Sequence, residues 1–151
     1  MMMKENTGTI PIAADHGGFE MKKFIIEGLG EKGYTIVDFG TFSSDSVDYP
    51  DFIHPLAKAV SEGKYALGII LCGSGNGAQM VANKYPDVRA ALCWSEETAK
   101  LARQHNNANI LSLPGRLISP ELALKMVKVF LGTGFDGGRH TRRVDKINQI
   151  G

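Results

Sequence analysis

The sequence has no long hydrophobic run, no excess of charge of either sign, and only two cysteines. No apolar run approaches the roughly 20 residues of a membrane span, which argues against a membrane protein. Seventeen basic and sixteen acidic residues give a net charge of +1, which argues against general binding to nucleic acid or to a membrane surface. Met1 to Gly8 is polar and lacks the apolar core of a signal peptide, so we expect a cytoplasmic location.

The two cysteines, Cys72 and Cys93, are too few for a disulfide scaffold. Both lie in apolar stretches, so we expect reduced thiols. The 151 residues, 43% of them hydrophobic, are enough for one globular domain covering 1–151. Residues 1–9 are expected to form a flexible N-terminal extension, and residues 139–151 a basic C-terminal helix.

Short apolar runs alternate with helical patterns along the whole chain. The predicted strands are 10–14, 35–39, 66–72, 89–93 and 108–113. The run 66–72 is the most continuous and is typical of a central strand buried on both faces. Five strands separated by helical crossovers predict an α/β fold with a parallel sheet and helices on both faces. Ligands of such sheets bind beyond the carboxyl ends of the strands.

Eighteen glycines exceed the usual share of about 7%, and three of them alternate directly after the third predicted strand. Segment 72–77 reads Cys-Gly-Ser-Gly-Asn-Gly. Alternate glycines let the backbone approach a ligand, and their N–H groups favour an anion at a helix start. The same dipoles would favour the thiolate of Cys72, although an inert packed cysteine is the ordinary alternative. The spacing matches neither a dinucleotide-binding loop nor a P-loop.

Further polar residues stand near other strand ends. Asp15 and His16 follow the first strand and could hold a sugar hydroxyl or a phosphate, or simply cap a helix and lie at the surface. His105, before the last strand, could act as a general acid or base, or merely complement a helix dipole.

Three arginines are candidates for binding an anion. Arg116 follows the fifth predicted strand, while Arg139 and Arg143 are four residues apart and share a helix face. Two guanidinium groups on one face suit a phosphate, although taken alone a solvated basic face is the more ordinary explanation. Together with the thiol and the imidazole, these residues suit proton abstraction next to a carbonyl on a small phosphorylated substrate. No group of carboxylates and histidines has the spacing of metal ligands, so no metal is predicted.

Six segments resemble the family of type B ribose-5-phosphate isomerases, which also includes the subunits of galactose-6-phosphate isomerase. The matching segments are 14–19, 48–51, 72–77, 82–84, 103–106 and 137–140. The resemblance implies a Rossmann-like three-layer α/β/α sandwich with a five-stranded parallel sheet. It also implies a homodimer, sometimes paired into a tetramer, with active sites between subunits. The implied reaction interconverts ribose 5-phosphate and ribulose 5-phosphate in the pentose phosphate pathway, with no metal or organic cofactor.

The resemblance also implies a role for each matching residue. Cys72 would be the base, Ser74 would assist the glycine loop in holding the enediolate, and His105 would open the sugar ring. Substrate-binding positions are implied for Asp15, His16, Tyr49, Gly73, Gly75, Asn76, Gly77, Asn106, Arg116, Arg139 and Arg143. Some family members use a Glu directly after the third glycine. Here that position is Ala78, which puts the chain in the group that uses a cysteine base.

Three other functions stay open on the residues alone. A six-carbon substrate, allose 6-phosphate or galactose 6-phosphate, would use the same chemistry. A non-catalytic sugar-phosphate-binding module could use the same glycine loop. A Cys-His hydrolase is disfavoured because the chain carries no recognisable protease or esterase signature.

Overall fold

Strands and helices alternate along residues 8–150, which the computed structural model describes. The strands are β1 (Thr9–Ala14), β2 (Thr35–Asp38), β3 (Gly68–Cys72), β4 (Ala90–Leu92) and β5 (Ile110–Pro114). The helices are α1 (Phe19–Glu31), α2 (Tyr49–Ser61), α3 (Asn76–Ala82), α4 (Glu96–Asn106), α5 (Pro120–Gly132) and α6 (Arg139–Asp145). All five predicted strands are confirmed, with ends that differ by two residues or fewer.

The strands form one parallel sheet in the order β2-β1-β3-β5-β4. β3 is the central strand, and all five of its residues are buried, as its continuous apolar sequence predicts. It pairs with β1 on one side and with β5 on the other, where Cys72 is aligned with Pro114. The last residue of β3 therefore lies at the carboxyl edge of the middle of the sheet.

Two apolar clusters cover the two faces of the sheet and make the three layers. One cluster packs α1, α4 and α5 against alternate strand residues such as Ile69 and Leu71. The other packs α2 and α3 against the remaining residues, among them Ile70 and Cys72. Side chains of a strand alternate between faces, so one apolar run supplies both cores. Within residues 8–150, none of the helices is long and apolar enough to cross a membrane.

The start of α4 is fixed by a reciprocal pair of side-chain caps. The Ser95 Oγ accepts the backbone N–H of Thr98 at 3.1 Å, and the Thr98 Oγ1 accepts the backbone N–H of Ser95 at 3.2 Å. Ser119 caps α5 through a single bond, in which its Oγ accepts the backbone N–H of Leu122 at 3.1 Å, ahead of Pro120 at the first position of the helix.

The two ends of the chain differ from the sequence expectation. The predicted basic helix 139–151 ends at Asp145, and residues after it form turns. There the backbone N–H of Ile147 bonds to Val144 and that of Gln149 to Lys146, three residues back instead of four. Of the expected extension 1–9, residues 1–7 lie outside the described residues, and Thr9 instead begins β1, paired with Thr35.

Candidate functional site

The carboxyl ends of β1 and β3 border a crevice at the middle of the sheet. The helices that follow these two strands pack on opposite faces, so the connections diverge and leave room for a ligand. Cys72 ends β3 with 5% of its surface exposed, in the core under α2 and α3. Asp15 follows β1, is buried, and accepts the backbone N–H of Gly17 through Oδ1 at 2.8 Å. The predicted thiol and carboxylate therefore lie at the ends of neighbouring strands.

Backbone hydrogen bonds tie the loops after β3 and β5 together. The N–H of Gly115 donates to the Cys72 carbonyl at 2.8 Å, and the N–H of Arg116 donates to the Gly73 carbonyl at 3.0 Å. The loop after β1 joins them, because a Cβ placed on Gly17 would lie 3.0 Å from the Gly73 nitrogen. The Arg116 side chain lies over Gly73, with Nη1 3.5 Å from where a Cβ would stand. Arg116 is thus brought to the glycine loop across the sheet.

The glycine loop begins α3 and packs under a tyrosine. Gly75 has a φ of 80°, a left-handed conformation that L side chains rarely adopt. A Cβ on Gly77 would lie 2.4 Å from the Tyr49 Cζ, so only a glycine lets the ring rest there. One N–H of the loop is already used internally, because Asn76 donates to the Ser74 Oγ at 3.2 Å. Tyr49, the first residue of α2, therefore closes over the loop.

His16 lies beside this loop in a fixed tautomer. Its Nδ1 accepts the backbone N–H of Val47 at 3.1 Å, so the neutral ring carries its proton on Nε2. His16, Asp15 and Tyr49 share a cavity of about 410 Å³ with segment 47–51. At this edge His16 can therefore offer a neutral N–H donor to a ligand.

The other four predicted site residues lie at the opposite edge of the sheet. α4 starts at the carboxyl edge and runs back for eleven residues, about 16 Å at 1.5 Å per residue, before β5 begins. His105 and Asn106 are its last residues. Arg139 and Arg143 lie on α6, which packs against α4. Within one chain, this second group is separated from Cys72 by the length of a helix.

His105 does not stand alone at this edge. Its ring stacks on that of His140, with centroids 4.2 Å apart and planes 12° from parallel. The backbone N–H of Asp136 donates to the Gln104 carbonyl at 3.0 Å, which holds the glycine-rich link against the last turn of α4. One donor atom from each of His105, Asp136 and His140 lies within 4.8 Å of the other two.

Electrostatics keep the His140 ring neutral. Desolvation is the largest cause lowering its pKa, and the neighbouring His105, Arg139 and Arg143 lower it further. The Asp136 carboxylate opposes these effects without cancelling them. A neutral His140 ring can donate or accept a proton through either nitrogen beside His105.

Cys93 differs from Cys72 in its surroundings. Burial raises the pKa of the Cys93 thiol, and a hydrogen bond with Thr98 opposes that rise. Cys93 packs in the core under α4 and α5, on the other face of the sheet from Cys72. It is therefore a protonated core residue at neutral pH, and both cysteines are free thiols.

Two features of the site escaped prediction from the sequence. One is the approach of Asp136 and His140 to His105, since nothing in their spacing from His105 indicates that α6 folds back onto α4. The bond from Val47 to His16 was also unforeseen, because it joins residues 31 apart through a loop without periodicity. The one local signal in the sequence that these two side chains could lie close together is that Asp136 and His140 are four residues apart.

These features define a parallel α/β protein with a glycine-rich loop and an adjacent thiol at the carboxyl edge of the sheet. The model of the Ribose/Galactose Isomerase family matches residues 10–147. The chain belongs to this family, as the sequence resemblance predicted.

Individual relatives are similar over nearly their full length. Ribose-5-phosphate isomerase B of Escherichia coli is 40% identical over 141 residues, which is 93% of this chain and 95% of that protein. The solved structure of a Thermotoga maritima ribose 5-phosphate isomerase has 49% identity and a TM-score of 0.91, covering 94% of this chain and 98% of that one. The Mycoplasma genitalium ribose-5-phosphate isomerase B, solved with bound ribulose-5-phosphate, has 46% identity and a TM-score of 0.90, with 95% of each chain covered.

Proposed function

We propose that this protein is an aldose–ketose isomerase that interconverts ribose 5-phosphate and ribulose 5-phosphate. The observation that carries the proposal is the position of Cys72, at the carboxyl edge of β3 and directly before the glycine loop. Membership of the Ribose/Galactose Isomerase family and the ribulose-5-phosphate bound to the M. genitalium relative support it.

The proton transfer is assigned to Cys72 and the loop that follows it. The thiolate removes the C2 proton of the open-chain aldose and returns it to C1 of the enediolate, while the hydroxyl proton on O2 passes to O1, which yields the ketose. The backbone N–H groups of segment 73–77 other than that of Asn76, together with the Ser74 hydroxyl, stabilise the charge that develops on the oxygen. Each such donor contributes about 3–4 kcal/mol by analogy with oxyanion holes.

Ring opening is assigned to His105. As a general acid and base it moves a proton between the ring oxygen and the anomeric hydroxyl of the furanose. Asp15 contacts the sugar close to that bond, Asn106 binds the opened chain, and Tyr49 covers the pocket above Gly77.

The phosphate end of the substrate is assigned to His16, Arg116, Arg139 and Arg143. His16 offers its Nε2–H, because Nδ1 is occupied by Val47. The arginines supply charge and forked donors that match phosphate oxygens. Their interaction energy with this non-reacting group positions the sugar carbons against Cys72.

The active site is assembled from two copies of the chain. His105, Asn106, Arg139 and Arg143 lie a helix length away from Cys72 in one copy, so the partner of a homodimer supplies them. A two-fold axis then creates two equivalent sites. Three exposed apolar side chains, Met80, Trp94 and Leu117, are available for such an interface, and two dimers could pair into a tetramer. We expect the enzyme to work in the cytoplasm, within the pentose phosphate pathway.

A steady-state assay of the purified, reduced protein tests the function. Ribose 5-phosphate and allose 6-phosphate are offered in parallel with a chelator present. Faster turnover of ribose 5-phosphate is the expected result. A clear preference for the six-carbon sugar would keep the chemistry but overturn the substrate, and binding without turnover of either would overturn the enzyme assignment.

A further inference from the structure

Two histidines and an aspartate converge at the amino edge of the sheet, where the sequence indicated no metal site. His105 comes from the last turn of α4, His140 from the first turn of α6, and Asp136 from the link before α6. Their donor atoms lie within 4.8 Å of one another. We name these three residues the His-Asp-His cluster.

The cluster is held in place by the backbone around it. Asp136 is tied to α4 by its N–H bond to the Gln104 carbonyl at 3.0 Å, and the N–H of His140 bonds to the Gly137 carbonyl at 3.0 Å. The His140 side chain is buried, and its ring is stacked on His105. The three donors are therefore brought together by the fold before any ligand binds.

We propose that the His-Asp-His cluster is a binding site for a divalent transition-metal cation of the zinc type. Imidazole nitrogens and a carboxylate oxygen are ordinary ligands for such a cation at 2.0–2.2 Å. In a tetrahedral site neighbouring ligand atoms stand roughly 3.4 Å apart, so donors at the 4.8 Å limit must close in by about 1.4 Å. Because the two imidazoles are stacked nearly parallel, the half-buried His105 ring must also turn so that its lone pair meets that of His140, while the exposed Asp136 side chain swings in. The fourth position would hold water.

Nearby charge limits how tightly the cation is held. Arg139 and Arg143 act electrostatically on His140 and disfavour a second positive charge there. We therefore expect reversible occupancy that a chelator removes, not a metal required for folding. Because the cation would occupy the His105 imidazole, it would inhibit isomerisation, and this consequence alone rests on the proposed function.

Cobalt(II) is the probe for the site, because its visible absorption reports tetrahedral coordination without any assay of activity. The full-length protein, stripped with chelator, is titrated with Co²⁺, and the heat of binding gives the stoichiometry. We expect one Co²⁺ per chain. Asp136→Asn removes a ligand from an exposed position and is expected to weaken binding at least about tenfold. His140→Ala is expected to do the same, with its fold checked by circular dichroism.

Three controls decide whether the cluster is the site. Asp145→Asn removes an exposed carboxylate on the same helix, His54→Gln removes a histidine elsewhere, and Cys72→Ser removes the thiol. Each is expected to bind Co²⁺ like the parent. Three results would overturn the site. They are parental Co²⁺ affinity in Asp136→Asn, loss of Co²⁺ binding in Cys72→Ser, and Co²⁺ binding to the parent that never saturates. Normal Co²⁺ binding in a chain that does not isomerise ribose 5-phosphate would support the site while overturning the proposed function.

Discussion

The two cysteines show how surroundings set the chemistry of one residue type. Cys72 lies at a strand end beside a loop of backbone N–H groups, whereas Cys93 is enclosed in a core where burial raises the pKa of its thiol. A thiol that stays protonated is a poor base at neutral pH. The proposed proton transfer is therefore specific to Cys72.

Replacing Cys72 with serine should remove most of the isomerase activity. A serine hydroxyl has nearly the size of the thiol but is not ionised at neutral pH, so we expect kcat to fall by at least about a hundredfold. Thermal unfolding should stay close to that of the parent. Steady-state assay of Cys72→Ser beside Cys93→Ser checks this, with Cys93→Ser expected to remain active. Comparable rates in the two variants would refute the base assignment.

The role of His105 can be separated from that of Cys72 by the form of the substrate. Ribose 5-phosphate enters mainly as a furanose, whereas a four-carbon aldose 4-phosphate cannot close a furanose ring because the phosphate blocks its O4. We expect His105→Ala to lose about a hundredfold in kcat/KM on the cyclic aldose and distinctly less on the open-chain aldose phosphate. The control is His54→Ala. Among the described contacts, the His54 ring forms a hydrogen bond only with the Tyr85 hydroxyl, at 2.7 Å. Equal losses on both substrates would exclude a ring-opening role.

At the scale of elements, the contact between α2 and α3 sets the shape of the glycine loop. An alanine Cβ at Gly77 would displace the exposed Tyr49 ring, since it would stand 2.4 Å from Cζ. We expect Gly77→Ala to fold normally and to raise KM. Adding Tyr49→Ala to Gly77→Ala should raise KM little further, because the ring that collides with the new Cβ is no longer present.

The contact between Tyr49 and Gly77 is tested by measuring KM for Gly77→Ala and for the double variant. The control is Gly134→Ala, where a Cβ meets nothing within 4 Å. An unchanged KM in Gly77→Ala would contradict the packing of Tyr49 on the loop.

The capping pair of α4 makes a prediction about stability alone. Ser95→Ala removes one half of the reciprocal caps and should lower the free energy of unfolding by about 1 kcal/mol. Thr98→Ala removes the other half, so the double variant should lose less than the two single losses combined. Urea denaturation of the three variants measures this coupling. Strictly additive losses would mean that the two bonds act independently.

Elements with strong local signals were predictable from the sequence. β3 is a continuous apolar run, and α4 and α5 directly follow the capping residues Ser95 and Ser119, so periodicity and capping locate them. The predicted final helix was wrong beyond Asp145, because the two apolar residues that follow, Ile147 and Ile150, are exposed and do not hold a helix against the core. Charge at the end of a chain does not by itself determine where a helix stops.

At the scale of the whole molecule, the candidate site is split between the two edges of the sheet. Sequence reasoning searched the strand ends and therefore located Cys72, Asp15 and Arg116 correctly at the carboxyl edge. The place of His105 at the other edge was predictable as well, because a helix that joins two parallel strands runs back to the amino edge and His105 comes just before the last strand. The approach of Asp136 and His140 to His105 was not predictable, because it arises only from tertiary packing.

Complementation between two inactive variants tests the shared site most directly. Cys72→Ser and His105→Ala chains are unfolded, mixed in equal amounts and refolded together, so that half of the dimers contain one chain of each. If one chain supplies Cys72 and its partner supplies His105, each mixed dimer has one intact site, and activity should recover to about a quarter of the parental value.

A mixture of Cys72→Ser with Asp15→Asn is the matched control, because both residues belong to the carboxyl edge of the same chain and no intact site can form. The account predicts recovery in the first mixture and none in the second. A first mixture no more active than its separate components would contradict an active site shared between two chains.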